Sequence, residues 1–113
     1  MNSYKIKSRI WIELEDKVVL GQGRVALLKA IEQTGSLSKA AKQVQMSYKK
    51  AWKLIDAMNK SAEKPVLETS VGGKSGGGAV LTVYGKEMVN AFDKINKDCW
   101  AFLNEQEEII QSV

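Results

Sequence analysis

Histidine is absent from these 113 residues, and cysteine and proline occur once each, as Cys99 and Pro65. Each shortage closes off a line of chemistry. Without histidine the chain lacks the commonest general base and the commonest metal ligand, so no enzyme activity and no cofactor are expected. A lone cysteine cannot close an internal disulfide, and a reduced, cytoplasmic setting is the simplest expectation. No apolar run approaches the roughly 20 residues that cross a bilayer. The opening Met1–Leu14 is interrupted by Lys5, Lys7 and Arg9 rather than built as a signal peptide, so a membrane is not an expected partner. The chain has no internal repeat and no long linker, and its length is that of one domain over 1–113.

What the chain does have is positive charge, and it is unevenly placed. The net charge is +4. Residues 36–64 carry seven lysines against Asp56 and Glu63, whereas residues 65–113 carry four lysines against seven acids. A field concentrated in this way suits a polyanion, because each neutralised phosphate releases condensed counterions.

The basic region coincides with a recognisable pattern. From Gly35 to Trp52 the sequence reads as two short helices joined by a tight turn, a helix-turn-helix spanning about 36–62. Leu37, Ala40, Ala41 and Val44 recur at the spacing of one buried helical face, and Ser36 and Ser47 stand where N-caps belong. In the second helix, from about Tyr48 to Ala62, the apolar arc comprises Tyr48, Ala51, Trp52, Leu54, Ile55 and Met58. Lys49, Lys53 and Lys60 lie opposite, with Lys50 at the flank. The N-terminal part of such a second helix meets base edges, which designates Ser47, Tyr48, Lys49, Lys50 and Lys53; Ser36, Ser38 and Lys39 are placed for phosphates. The same packing occurs in proteins that never touch nucleic acid, and a lysine stripe is often only a solvated face. A protein-interaction module binding an acidic partner is therefore the alternative.

The flanking segments supply a scaffold. Residues 5–14 alternate, with Ile6, Ile10, Ile12 and Leu14 on one side, and read as a half-buried strand; Glu15-Asp16 turns it into a second at Lys17–Leu20. A helix from about Arg24 to Thr34 buries Val25, Leu27, Leu28 and Ile31 and stops at Gly35. After the second helix of the motif, Val66–Val71 and Ala79–Leu81 read as a β-hairpin. Its glycine-rich tip carries Lys74 and Ser75, which are placed to reach phosphate or the minor groove, so residues 66–81 are expected to form a wing. Two glycine motifs fail as nucleotide sites. Gly73-Lys74-Ser75 lacks the earlier glycine of a P-loop, since that position is Glu68. Gly21-Gln22-Gly23 is followed some 20 residues later by Ala40-Ala41-Lys42 within a helix, not by a strand ending in an acid.

Residues 82–111 read as one long helix. Met88, Phe92, Ile95, Cys99, Phe102 and Ile109 lie on an a/d seam of alternating steps of four and three, with Gln106 filling the step between Phe102 and Ile109. Such a helix would run on the order of 40 Å, longer than a domain of this size covers, so a second copy is the expected partner and these six residues its interface.

Several strings resemble the N-terminal DNA-binding domain of ModE-type molybdenum-dependent transcriptional regulators. They are Gly23-Arg24-x-x-Leu27-Leu28-x-x-Ile31, Gly35-Ser36-x-x-x-Ala40-Ala41-Lys42, Met46-Ser47-Tyr48-Lys49-x-Ala51-Trp52, Met58-Asn59, and Gly72-Gly73-Lys74-x-Gly76-Gly77-Gly78-Ala79-x-Leu81-Thr82-x-x-Gly85. The resemblance implies an α+β, mainly helical fold: a winged helix-turn-helix with a long C-terminal dimerisation helix, binding double-stranded DNA as a homodimer. It also implies that Ser47, Tyr48 and Lys49 read the groove and that Lys74 belongs to the wing. The full-length regulators carry a molybdate-binding domain after this one, and the sequence to Val113 has no counterpart. The expectation is a single-domain relative with no molybdate site.

Overall fold

A computed structural model, which describes residues 3–70 and 78–113, gives the chain order β1 (Trp11–Leu14), β2 (Lys17–Gly21), α1 (Gln22–Thr34), α2 (Leu37–Gln43), α3 (Tyr48–Ser61), β3 (Leu67–Thr69), β4 (Ala79–Leu81) and α4 (Val83–Gln111). Among the described residues, strands pair only as two antiparallel hairpins, β1 with β2 and β3 with β4. Helices therefore dominate, as the sequence leads one to expect.

Local chemistry sets most boundaries. Glu15 and Asp16, at φ 51° and 67°, form the two-residue loop between β1 and β2; both are left-handed, as a turn that matches strand twist requires. α1 ends at Gly35, whose φ of 67° lets its N–H reach the Ile31 carbonyl at 2.7 Å. Ser36 caps α2 by accepting from the Lys39 N–H, and Ser47 caps α3 by accepting from the Lys50 N–H. Between them α2 closes in a Schellman motif: the Met46 N–H donates to the Ala41 carbonyl at 2.8 Å and the Gln45 N–H to the Lys42 carbonyl at 3.1 Å. Gln45 takes the left-handed position at φ 58°, and the half-buried Met46 packs against the core.

α1 buries Val25, Leu27, Leu28 and Ile31 as expected, and Ala30 with them. Leu20, Ile55, Met58, Val66 and Leu67 complete the centre, and Val89 and Phe92 close it from α4. Each large side chain removed from water contributes about 1.5–3 kcal/mol before entropy is counted. Arg24 ties β2 to α1 through its Nη1, 2.7 Å from the Val18 carbonyl, and desolvation by partial burial lowers its pKa.

Two expectations need correction. Residues 5–10 alternate as expected, with Ile6, Ser8 and Ile10 half-buried, but they join no sheet, and Leu14 is exposed. No strand lies beside them. α4 does, and its side chains take the main-chain groups: the Ile6 N–H donates to Glu107 Oε2 at 2.9 Å, and Gln111 both accepts from the Tyr4 N–H and donates to the Tyr4 carbonyl. The match is metrical, since two residues of extended chain advance about 6.6 Å and four residues of helix about 6 Å.

The second correction concerns the seam on α4. Phe92 is only 3% exposed, within the domain's own core, and the half-buried Met88 packs against that core. Cys99 is half-buried, its Sγ 3.5 Å from Ser8 Oγ under the N-terminal segment. Ile95, Phe102 and Ile109 remain more than half exposed. The heptad pattern changes function along its length because α4 leaves the core after Phe92. That departure also explains a radius of gyration of 17.1 Å, against about 13 Å for a compact chain of this length.

Candidate nucleic-acid interface

α3 combines a dry back with a charged front. Ala51, Ile55 and Met58 are buried, and α3 packs against α2. Lys49, Lys50 and Lys53 are exposed, as are Ser47 on the same helix and Ser38 and Lys39 on α2; Ser36 is half-buried. The cap bonds of Ser36 and Ser47 use one acceptor lone pair each and leave the hydroxyl proton free to donate. Among the described residues no acid pairs with Lys39, Lys49, Lys50 or Lys53. The one acid on α3, Asp56, bonds Lys60 at 2.8 Å instead. Lys49 and Lys53, four residues apart, repel each other at a cost of a few tenths of a kcal/mol, which an anion would relieve.

Tyr48 and Trp52 are not on the buried arc where the sequence pattern puts them. They are 51% and 37% exposed, and their rings meet edge to face with centroids 6.3 Å apart and planes at 79°. The reason is angular. The buried stripe is centred between Ala51, Ile55 and Met58, which leaves Trp52 about 90° round the helix axis.

The β3–β4 hairpin stands beside the same flank of α3. Asn59 reaches across to it, accepting from the N–H groups of Val66 and Leu67 at 2.9 and 3.3 Å and donating to the Leu67 carbonyl at 3.0 Å. Thr82 secures the other side: its hydroxyl donates to the Pro65 carbonyl and caps α4 by accepting from the Gly85 N–H. Gly85 is required there, since a Cβ would lie 2.0 Å from the Val66 carbonyl oxygen. The Ser70 N–H bonds the Gly78 carbonyl and closes the described part of the hairpin. Lys74 and Ser75 lie outside the described residues. In the sequence Asn59 carries no evident role and Trp52 reads as core; an asparagine near the end of the second helix, six residues before the single proline, is the signal available for the clamp.

No family model matches the chain. Individual proteins do. The chain is 42% identical over 86 residues to Transcriptional regulator ModE of Haemophilus influenzae, an overlap of 76% of this chain and 34% of that protein. It is 43% identical over 82 residues to DNA-binding transcriptional dual regulator ModE of Escherichia coli K12, covering 73% of this chain and 31% of the relative. Molybdenum transport protein ModE of Azotobacter vinelandii matches all 113 residues at 34% identity. The chain is a ModE-type domain. It corresponds to only 31–42% of the length of these ModE relatives. None of the three names is an enzyme's, in agreement with the reading of the histidine-free sequence, and no described helix of this ModE-type domain is long and apolar enough to cross a membrane.

Proposed function

We propose that this ModE-type domain is a sequence-specific regulator that binds double-stranded DNA as a homodimer. In this reading α2 and α3 form the helix-turn-helix, the β3–β4 hairpin is the wing, and α4 is the dimerisation helix. The observation that carries it is the exposed, acid-free trio Lys49, Lys50 and Lys53, held outward by the buried Ala51, Ile55 and Met58. Ser47, Tyr48 and the three lysines contact base edges. Ser36, Ser38, Lys39 and the wing residues Lys74 and Ser75 position the protein on phosphates. Ile95, Phe102 and Ile109, spaced by seven on the uncovered side of α4, support a second copy as the partner.

Selection of bound fragments from random duplex DNA at physiological salt, followed by footprinting, tests the proposal. The expected product is an inverted repeat with half-sites about one helical turn, or a multiple of it, apart. Binding without preference among sequences would remove the proposal, and an asymmetric footprint would remove the dimer.

A further inference from the structure

We infer that Tyr48 and Trp52 form a thymine reader, an aromatic edge on α3 that packs against the C5-methyl groups of thymines in the major groove. This inference rests on the proposed DNA-binding role of α3. Three observations carry it. The pair is exposed although the core beneath it is already closed by Ala51, Ile55 and Met58, so folding does not require two large rings there. The rings meet edge to face at 6.3 Å, a contact that favours one mutual orientation and so lowers the entropy lost on docking. They also lie in the first two turns of α3, interleaved with Lys49, Lys50 and Lys53.

That setting selects the occupant. An apolar protein partner covering the rings would have to desolvate neighbouring lysines that have no acids of their own, which is costly. A DNA groove offers anionic rims for the lysines and, on its floor, one strongly apolar feature among the base edges: the thymine methyl. Cytosine lacks that group and presents an amino donor, to which a ring edge offers nothing. The lysines on this helix are suited to guanine O6 and N7, so the face as a whole fits a half-site with guanine beside thymines.

The test uses the full chain and duplexes recovered from a random pool at physiological salt. Each recovered duplex is resynthesised with deoxyuridine for thymidine, which deletes the methyl groups and keeps every hydrogen bond. Wild-type protein should lose about fourfold in affinity for each methyl contacted. Trp52→Ala should bind the thymine duplex more weakly and discriminate less between the thymine and uracil duplexes, the double variant Tyr48→Ala with Trp52→Ala should bind them alike, and Trp52→Phe should retain more of the discrimination than Trp52→Ala. Equal affinity of the wild type for both duplexes overturns the inference and leaves the DNA-binding proposal standing. A uracil penalty that persists undiminished in Trp52→Ala also overturns it, since the effect then belongs to DNA shape. Recovery of no preferred sequence overturns both.

Discussion

Asn59 meets Leu67 as one peptide group meets another across a sheet, its Nδ2 donating to the Leu67 carbonyl at 3.0 Å while its Oδ1 accepts from the Leu67 N–H at 3.3 Å. A side chain two turns beyond the lysines of α3 thereby sets the register between that helix and the hairpin. Asn59→Ala is expected to cost about 1–3 kcal/mol, because three main-chain groups at a half-buried site lose their partner together. Urea unfolding measures the cost. DNA affinity should fall by more than a substitution of similar stability cost elsewhere in the core, because the hairpin is released from α3.

Gly85 faces a harder constraint. Gly85→Ala drives a methyl group into the Val66 carbonyl, a backbone atom that cannot rotate away. Loss of several kcal/mol is expected, enough to consume much of a small domain's stability. A lowered midpoint in thermal unfolding followed by circular dichroism checks it; an unchanged midpoint would mean that the start of α4 is not packed on Val66.

Gln45 offers an opposite opportunity. It occupies the left-handed position that ends α2, where a side chain is a burden and glycine is not. Gln45→Gly should raise stability by up to about 1 kcal/mol without altering either helix, and a rise in the urea midpoint at constant slope would show it.

Lys49 tests whether the basic face is kept at a cost. Lys49→Glu places an acid in the first turn of α3 and pairs it with Lys53 four residues on, in the favourable direction. The free protein should gain about 0.5–1 kcal/mol of stability. DNA binding should nevertheless fall steeply, with a shallower dependence on salt. A variant that is both more stable and fully competent in DNA binding would contradict the role given to this face.

Gln111 governs the N-terminal segment. Gln111→Ala removes both main-chain bonds to Tyr4 and should speed hydrogen exchange at Tyr4 and Ile6 while leaving the global unfolding free energy nearly unchanged, since neither residue belongs to the core.

Features that depend on a few neighbouring residues were legible from the sequence. Ser36, Ser47 and Gly35 act where their chemistry announces them, and the buried set on α1 follows from spacing alone. Features that depend on what lies opposite were less so. A helical pattern reports the direction of an apolar arc but not how far its neighbour reaches round it, which is why Trp52 read as core and is exposed. An alternating pattern reports an extended chain but not its partner, so Ile6 and Ile10 suggested a sheet where α4 stands. One period runs through the buried Phe92 and the exposed Phe102, and only the position where α4 leaves the core separates them. Lys74 and Ser75 lie outside the described residues, so the sequence is the whole basis for their assignment.

The bond between Tyr4 and Gln111 has a practical consequence. It holds Tyr4 against Gln111 in the last turn of α4, beyond Val89 and Phe92, the residues of that helix buried in the core. A fluorophore attached at Ser3 or Ser112 therefore sits beside that contact. Two dyes, one at each of these serines, would report by energy transfer whether the thread along α4 is seated or loose.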